Sequence, residues 1–338
     1  MKSKNIIFTG PEKAELWEEE VPALKENEVL CRTERTLISI GTETTCLKGM
    51  FDEGTNWKDW VQYPFYPGYS NVARIIEVGS AVKDYHTGDC VSSGMTHNQY
   101  FTAKADSLLS VPDGVDMADA AWISLLRVAQ NIVRKCQVQM GDTVVIVGQG
   151  QVGQLVTQFV RICGAMQIIA IDPMEERLEM SKQSGATHVL SCSAKDAVSD
   201  IKALTGGKMA DIVIDSTGHP KVLAQVCGLA RRYGKIGLVG DCSCPSLQAL
   251  GPGVVSNSLT ILGMHGSMTA PVDNAFYPWT ERFTNEISMR YLEQKKLEVS
   301  HLVTHTCSPE EAPVIYENLL KNRSAYLGII FDWNLLEK

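Results

Sequence analysis

The segment Thr143-Val-Val-Ile-Val-Gly148-Gln-Gly150-Gln151-Val152-Gly153 sets three glycines where an apolar run gives way to an amphipathic one. Residues of this type at this spacing make a cradle for a dinucleotide. Gly148 permits a tight turn, Gly150 lets the backbone approach a pyrophosphate, and Gly153 lets the following helix pack close to the strand. The N–H groups that open the helix at Gln151 and Val152, with the positive end of its dipole, face the phosphates. About 20 residues on, Ile168-Ile-Ala-Ile-Asp172 offers a second strand ending in a carboxylate, the partner expected for an adenosine ribose hydroxyl. A carboxylate there repels a 2′-phosphate, so the pattern selects NAD over NADP. Arg177 follows closely, with a second possible duty on the helix surface or against adenine.

The elements that must position these residues are legible as alternation. From Thr143 onward, strands expected at Thr143–Val147, Gln167–Ile171, Ile212–Ile214, Lys235–Val239 and Thr260–Leu262 alternate with amphipathic stretches. That order predicts an α/β Rossmann unit, a doubly wound parallel sheet. Thr217, Val239 and the backbone around His265 fall at the carboxyl ends of its later strands, the edge where the ligand crevice of such a sheet lies. Up to about residue 118 the pattern is different: short runs such as Glu28-Val-Leu-Cys-Arg-Thr, Asn71-Val-Ala-Arg-Ile-Ile-Glu-Val and Asp89-Cys-Val are broken by Gly and Pro, which reads as β-rich. Helical spacing is expected over 117–134 and 283–297. A strand at 302–306, a helix from Ser308 to Leu320 and a last strand at 326–331 complete the chain. Ser308 with Glu311 has the form of a capping box.

Composition bounds the rest. A chain of 338 residues should hold about two domains. Its formal charge of −8 argues against a nucleic-acid or anionic-membrane surface, and no apolar run is long enough to cross a bilayer. Ten scattered Cys without a disulfide framework, and an N-terminus lacking a signal-peptide pattern, point to a reducing, cytoplasmic compartment. Cys242-Ser-Cys244 has poor spacing for a chelate or a disulfide. A small molecule is the expected partner.

Further motifs carry a family resemblance: Val29-Leu-Cys-Arg-Thr before Ile40-Gly-Thr-Glu, Pro67-Gly-Tyr-Ser, Glu77-Val-Gly-Ser, Gly88-Asp-Cys-Val, Asp172-Pro-Met-Glu-Glu-Arg-Leu, Asp215-Ser-Thr-Gly and Gly263-Met-His-Gly. Over almost its full length the chain resembles the medium-chain dehydrogenases/reductases, in their polyol and sorbitol dehydrogenase branch. The resemblance implies a GroES-like β-rich catalytic domain from residues 1–122 and 271–338, and a Rossmann NAD-binding domain from 123–270. It also implies hydride transfer between NAD and a secondary alcohol of a sugar, cyclitol or similar polyhydroxylated ring. The strand Thr260–Leu262, last in the Rossmann sheet, would be an uncovered apolar edge, which predicts a homo-oligomer, a dimer. Metal-free quinone or enoyl reduction and non-catalytic NAD binding are the alternatives. The first favours an altered glycine turn with NADPH, and the second predicts cofactor binding without turnover.

The resemblance stops at the metal. The family holds its catalytic zinc with a Cys in Cys-Gly-Thr-Asp, a His in Gly-His-Glu, and an acid or Cys before the central helix. Ile40, Tyr69 and Ser124 stand at those positions here, and the four-Cys structural zinc loop is missing where 92–100 runs through its place. No zinc is therefore expected, the alternative being a rearranged site from Cys46, Cys90 or His97. Ser39-Ile-Gly-Thr-Glu43 is similar to a metal-free subgroup that includes bacteriochlorophyllide dehydrogenase and sugar or cyclitol dehydrogenases. Without zinc a side chain must take the alcohol proton. The resemblance makes Glu43 the first candidate, either as base or as an anchor for Tyr69 or the backbone. Tyr69, at the lost His, and Thr42, at the family's hydroxyl position, follow as contacts or relays for the substrate oxygen. His97 and His265 are further candidates for chemistry or substrate contact. The aromatics of 55–67 either line a sugar pocket or pin a loop onto the β domain.

Overall fold

The computed structural model describes residues 1–266 and 279–336. The chain divides into two compact units, one of Met1–Ser124 with Asn285–Lys338 and one of Leu125–Thr284. The first crossing falls at the start of the helix Ile123–Cys136, while the expected boundary at 270/271 lies outside the described residues. Residues 279–284 fall in the second unit, where Trp279 lies beneath the Arg134 guanidinium and Gln130 donates to the Thr284 carbonyl.

The second unit is the doubly wound α/β sheet. Six strands lie in the order His188–Leu190, Gln167–Ile171, Thr143–Val147, Ala210–Asp215, Ala230–Leu238, Thr260–Gly263, and every neighbouring pair is parallel. The central runs Val144-Val-Ile-Val and Ile168-Ile-Ala-Ile are buried throughout, which explains why they read as continuous apolar stretches rather than alternating ones. The strand order reverses next to Thr143–Val147, the strand that feeds the glycine turn.

The first unit is a GroES-like β domain. Its main sheet runs Val303–Cys307, Gly328–Asp332, Glu28–Leu37, Asn71–Val78, Cys90–Ser93, Leu109–Ser110, with Tyr100–Lys104 also paired to Glu28–Leu37. A hairpin, Lys2–Gly10 with Lys13–Glu20, lies beside it. The strand Glu28–Leu37 is pinned on three sides and nearly wholly buried, so its far end at Leu37 and the turn into the helix Ile40–Lys48 are held firmly. The capping box at Ser308 forms, with the Ser308 N–H donating to Glu311 Oε1 at 2.8 Å. The expected long helix over 117–134 is two, Met117–Ala120 and Ile123–Cys136, interrupted at Ala121 and Trp122. No described helix is long and apolar enough to cross a membrane, and no disulfide joins the described cysteines.

Candidate active site and dinucleotide cradle

In the second unit the glycine turn is fixed by backbone crowding. Gly148 has φ +88, and a Cβ on it would lie 2.7 Å from Thr217 Cγ2. A Cβ on Gly153 would lie 1.9 Å from the Gly148 carbonyl oxygen, so only glycine lets the helix Gln151–Ile162 approach its strand this closely. Gly150 differs: nothing lies within 4 Å of its added Cβ. That open space leaves room for a ligand to approach the backbone. Gly150 is also the N-cap residue, with no side chain to cap the helix and no acid in the first turn, a helix start whose dipole end suits an anion.

The turn rests on polar side chains that the sequence did not flag. Gln149 is wholly buried; its amide oxygen accepts from Ser181 at 2.9 Å and its amide group donates to the Ile146 carbonyl at 3.3 Å. Gln154 donates to the Arg177 carbonyl at 2.8 Å, and Ser216 Oγ donates to the Gly148 carbonyl at 2.6 Å. A buried glutamine with both amide ends satisfied holds a turn without adding charge.

Asp172 sits at the end of its strand, 4% exposed, and accepts from the Gln149 N–H at 2.7 Å and the Met174 N–H at 2.9 Å. Each oxygen keeps a further lone pair for a ribose hydroxyl. The Arg177 guanidinium stands 3.8 Å from Asp172 Oδ2. Thr217 is exposed, its hydroxyl donating to Asp215 Oδ1 at 2.6 Å; burial pushes the Asp215 carboxyl up, against the hydrogen bonds from Thr217. Gly148, Asp172, Thr217, Val239 and His265 each follow the carboxyl end of a parallel strand within two residues. The cradle, the open space at Gly150 and the buried carboxylate fit a dinucleotide.

In the first unit, three hydroxyls meet where the helix Ile40–Lys48 begins. Tyr69 donates its phenol hydrogen to Ser39 Oγ at 2.5 Å, and Thr42 Oγ1 lies 3.3 Å from the same phenol oxygen. Thr42 and Tyr69 are half-buried, whereas Ser39 is 5% exposed. Burial raises the Tyr69 phenol above its ordinary pKa, with the hydrogen bonds it shares with Ser39 and Thr42 opposing and the Glu43 charge adding.

Behind them lies a closed polar network. Glu43 is 1% exposed; its Oε1 accepts the Ser39 N–H at 2.7 Å, and its Oε2 is 3.0 Å from His97 Nε2 and accepts the hydroxyl of Tyr316. His97 Nδ1 is 2.7 Å from Thr36 Oγ1, which also accepts from Trp333 Nε1 at 3.0 Å. With the His97 proton on Nε2, Nδ1 accepts from Thr36 and the side chains of Glu43, His97, Thr36, Trp333 and Tyr316 are all satisfied. Both Glu43 and His97 therefore face the interior. Of the two readings of Glu43, the base is corrected and the geometry fits the anchor: its oxygens are taken by three internal donors, and what it anchors is the Ser39 backbone. His97, 1% exposed and bonded at both nitrogens, does not meet a substrate directly either. Ser39 and Tyr316 were missed. A serine just ahead of a helix was a signal for the first; nothing in the periodicity separates Tyr316 from an ordinary core tyrosine.

The three positions of the family metal are side by side in part, since Ser124 Oγ donates to the Tyr69 carbonyl at 2.7 Å. They do not fit a zinc: Ile40 has no donor atom, the Tyr69 phenol is hydrogen-bonded to Ser39, and Ser124 is committed to backbone. Among the described residues no three His, Cys, Asp or Glu side chains gather in a way that could hold a metal, and Cys46, Cys90 and His97 are not brought together. Cys46 is buried in the apolar core, and burial, with the Glu43 charge, raises its thiol.

The aromatics of 55–67 mostly pin their own loop. Trp57 and Phe65 are buried, Phe65 stacks on Phe8 at 6.1 Å, and Tyr63 donates to the Cys46 carbonyl at 2.6 Å. Trp60 and Tyr66 are the exposed members, Tyr66 bonded to Glu19 at 2.8 Å.

Residues 152–282 match the zinc-binding dehydrogenase family. Over 239 residues the chain is 30% identical to D-guloside 3-dehydrogenase of Escherichia coli (strain K12), an alignment spanning 65% of this chain and 68% of that one. It is 25% identical over 303 residues to sorbitol dehydrogenase of Bacillus subtilis (strain 168), across 80% of this chain and 81% of the relative. The solved structure of an Escherichia coli oxidoreductase/dehydrogenase of unknown specificity shares the fold at a TM-score of 0.83 and 22% identity, covering 98% of this chain and 99% of that one.

Proposed function

The chain belongs to the medium-chain dehydrogenase/reductase superfamily, and from that premise we propose that it is an NAD-linked polyol dehydrogenase that acts without zinc on a secondary alcohol of a sugar, cyclitol or related ring. One observation carries the reading. Where the family places metal ligands stand an aliphatic side chain, a tyrosine and a serine, and the tyrosine is built into a hydroxyl cluster with Ser39 and Thr42.

When bound, NAD supplies the hydride acceptor, and its reduced form the donor. Tyr69 handles the proton. In the oxidation direction its phenolate takes the proton of the substrate hydroxyl as hydride leaves the carbon; in the reduction direction its phenol gives a proton to the carbonyl oxygen. Thr42 orients the substrate oxygen, and Ser39 stabilises the phenolate by hydrogen bonding. Because burial raises the phenol, the protonated form dominates at neutral pH and favours carbonyl reduction there. Asp172 takes the ribose hydroxyls and disfavours a 2′-phosphate, which supports NAD. Polyhydroxylated substrates are supported by the relatives named for sorbitol and D-guloside.

The test is a screen of the purified protein with NAD and NADP against sugars, cyclitols, polyols and glycosides, with metal analysis of the same sample. Turnover with NAD, zinc well below one per chain and unchanged activity in a strong chelator are expected. One zinc per chain whose removal stops turnover overturns the zinc-free reading, and NAD binding without turnover across the panel replaces the enzyme with a binding protein. We also read the edge strand Thr260–Gly263, with Ile261 and Leu262 partly exposed, as a pairing surface for a second copy. Sedimentation at micromolar concentration showing only a 37.1 kDa species contradicts that.

A further inference from the structure

Tyr316 lies in the apolar core of the first unit, in the company of Ile6, Phe8, Ile38 and Phe331. Its ring stands edge-on to Phe8, centroids 4.9 Å apart at 86°. A phenylalanine would fill that volume without burying a hydroxyl, and a hydroxyl in such a place is costly unless something specific accepts it. The acceptor is Glu43, itself buried and reached also by His97. Buried polar groups of this kind are retained where they fix one arrangement against others.

The arrangement they fix shows at Ser39. Serine at a helix N-cap normally turns its hydroxyl onto an N–H of the first turn. Ser39 holds the N-cap position of Ile40–Lys48 and makes no such bond. Instead, Glu43 Oε1 takes the Ser39 backbone N–H, and the Ser39 hydroxyl is left to accept the Tyr69 phenol at 2.5 Å. The serine that would cap the helix has been turned to the hydroxyl cluster. From the closed end, the bonds run from Tyr316 to Glu43, from Glu43 to the Ser39 backbone, and from Ser39 Oγ to Tyr69. Of the residues so joined, Tyr69 and its neighbour Thr42 are the half-exposed ones.

We propose that Tyr316 is a positioning residue for the Tyr69 phenol, acting through Glu43 and Ser39 and touching no substrate. The proposal rests on the reading of Tyr69 as the proton-handling group. Removing the Tyr316 hydroxyl leaves Glu43 Oε2 with His97 as its remaining side-chain partner, shifts the carboxylate from the Ser39 N–H, and lets the Ser39 hydroxyl turn to cap its helix in the ordinary way. Tyr69 then loses its acceptor, while the apolar packing of the ring at 316 is retained.

The test is a double-mutant cycle in the full-length protein with Tyr316→Phe, Tyr69→Phe and the pair. Tyr316→Phe is expected to lower kcat by about 10-fold to 100-fold, the range for a misplaced catalytic group, with KM and NAD affinity within about twofold of native. In the Tyr69→Phe background the same change is expected to cost less than about twofold, because its effect is transmitted through Tyr69. A second readout needs no turnover: with 13Cζ-tyrosine labelling, the Tyr69 resonance, assigned by its loss in Tyr69→Phe, should move in Tyr316→Phe. It should stay in place in Tyr63→Phe, which removes a tyrosine hydrogen bond of the same unit outside this network. Native kcat with an unmoved Tyr69 resonance, or equal costs in both backgrounds, overturns the proposal. Native turnover in Tyr69→Phe defeats the role given to Tyr69 instead, and the resonance alone then decides whether Tyr316 positions it. If Tyr316→Phe does not fold, Glu43→Gln takes its place in the cycle with the same expected signature.

Discussion

The glycine turn and the hydroxyl cluster are the two regions we propose as ligand sites, and they are built from different material. The turn is backbone: Gly148, Gly150 and Gly153 lie within one short segment, and two of them are forced by atoms of that segment and of the adjoining strand end. The cluster and the network behind it are side chains: Tyr69 reaches Ser39 across 30 residues, Tyr316 reaches Glu43 across 273, Trp333 reaches Thr36 across 297, and His97 reaches Glu43 across 54. A site made of local backbone constraint tolerates almost no substitution and announces itself in sequence. One made of distant side chains can change its chemistry by exchanging a few residues while the strands beneath it stay put.

The sharpest break in that comparison is within the turn. Gly153→Ala places a Cβ 1.9 Å from a backbone oxygen that cannot swing aside, so the helix must shift. The expected cost is about 1–3 kcal/mol of stability or more, together with loss of measurable cofactor binding. Gly150→Ala meets nothing within 4 Å and sits at an ordinary φ of −72, so its thermal midpoint should match native while dinucleotide affinity falls. Thermal melts of the two variants with and without NAD check this directly. Equal destabilisation by both would mean that the space at Gly150 is not reserved for a ligand.

Next in size is Tyr69→Phe, expected to cut turnover by about 10²–10⁴, the usual worth of a positioned acid–base group, with NAD affinity unchanged. The pH profile sharpens the assignment. Because burial and the Glu43 charge raise the phenol, the phenolate fraction still grows through the neutral and alkaline range. Oxidation should therefore climb about tenfold per pH unit there, and reduction should stay level until the phenol ionises. Glu43→Gln removes a charge that opposes the phenolate, so the alkaline limb should move to lower pH. An oxidation rate flat from neutral to alkaline pH takes the proton transfer away from Tyr69.

How much was legible follows the same division. The strands Thr143–Val147 and Gln167–Ile171 stand where the apolar runs and turn glycines placed them, since parallel strands buried on both faces must be continuously apolar. Asp172 was legible because it closes the next strand. In the β domain the positions that lost the metal ligands could be named by resemblance, but not the direction in which Glu43 points. That direction is set by donors from the loop around His97 and the helix Ala312–Lys321, whose arrival no local pattern records. The split of the expected 117–134 helix has a similar cause, because both halves share one apolar periodicity across Ala121 and Trp122, which are themselves buried.

The smallest expected effect concerns Asp172, and the structure changes how it should be measured. Asp172→Ala would strip two buried backbone donors, Gln149 N–H and Met174 N–H, of their acceptor, each worth about 1–3 kcal/mol, and so would confound cofactor choice with stability. Asp172→Asn keeps an acceptor and the shape while removing the charge. It also frees the Arg177 guanidinium, now 3.8 Å from the carboxylate, to meet a 2′-phosphate. Native protein should prefer NAD, and in Asp172→Asn the ratio of NAD to NADP affinity should fall by about tenfold, equivalent to about 1.4 kcal/mol. Two binding titrations on each protein suffice. If the native chain prefers NADP, the carboxylate is a prop for the glycine turn rather than a ribose partner, and even this locally encoded region has a function its fingerprint misstates.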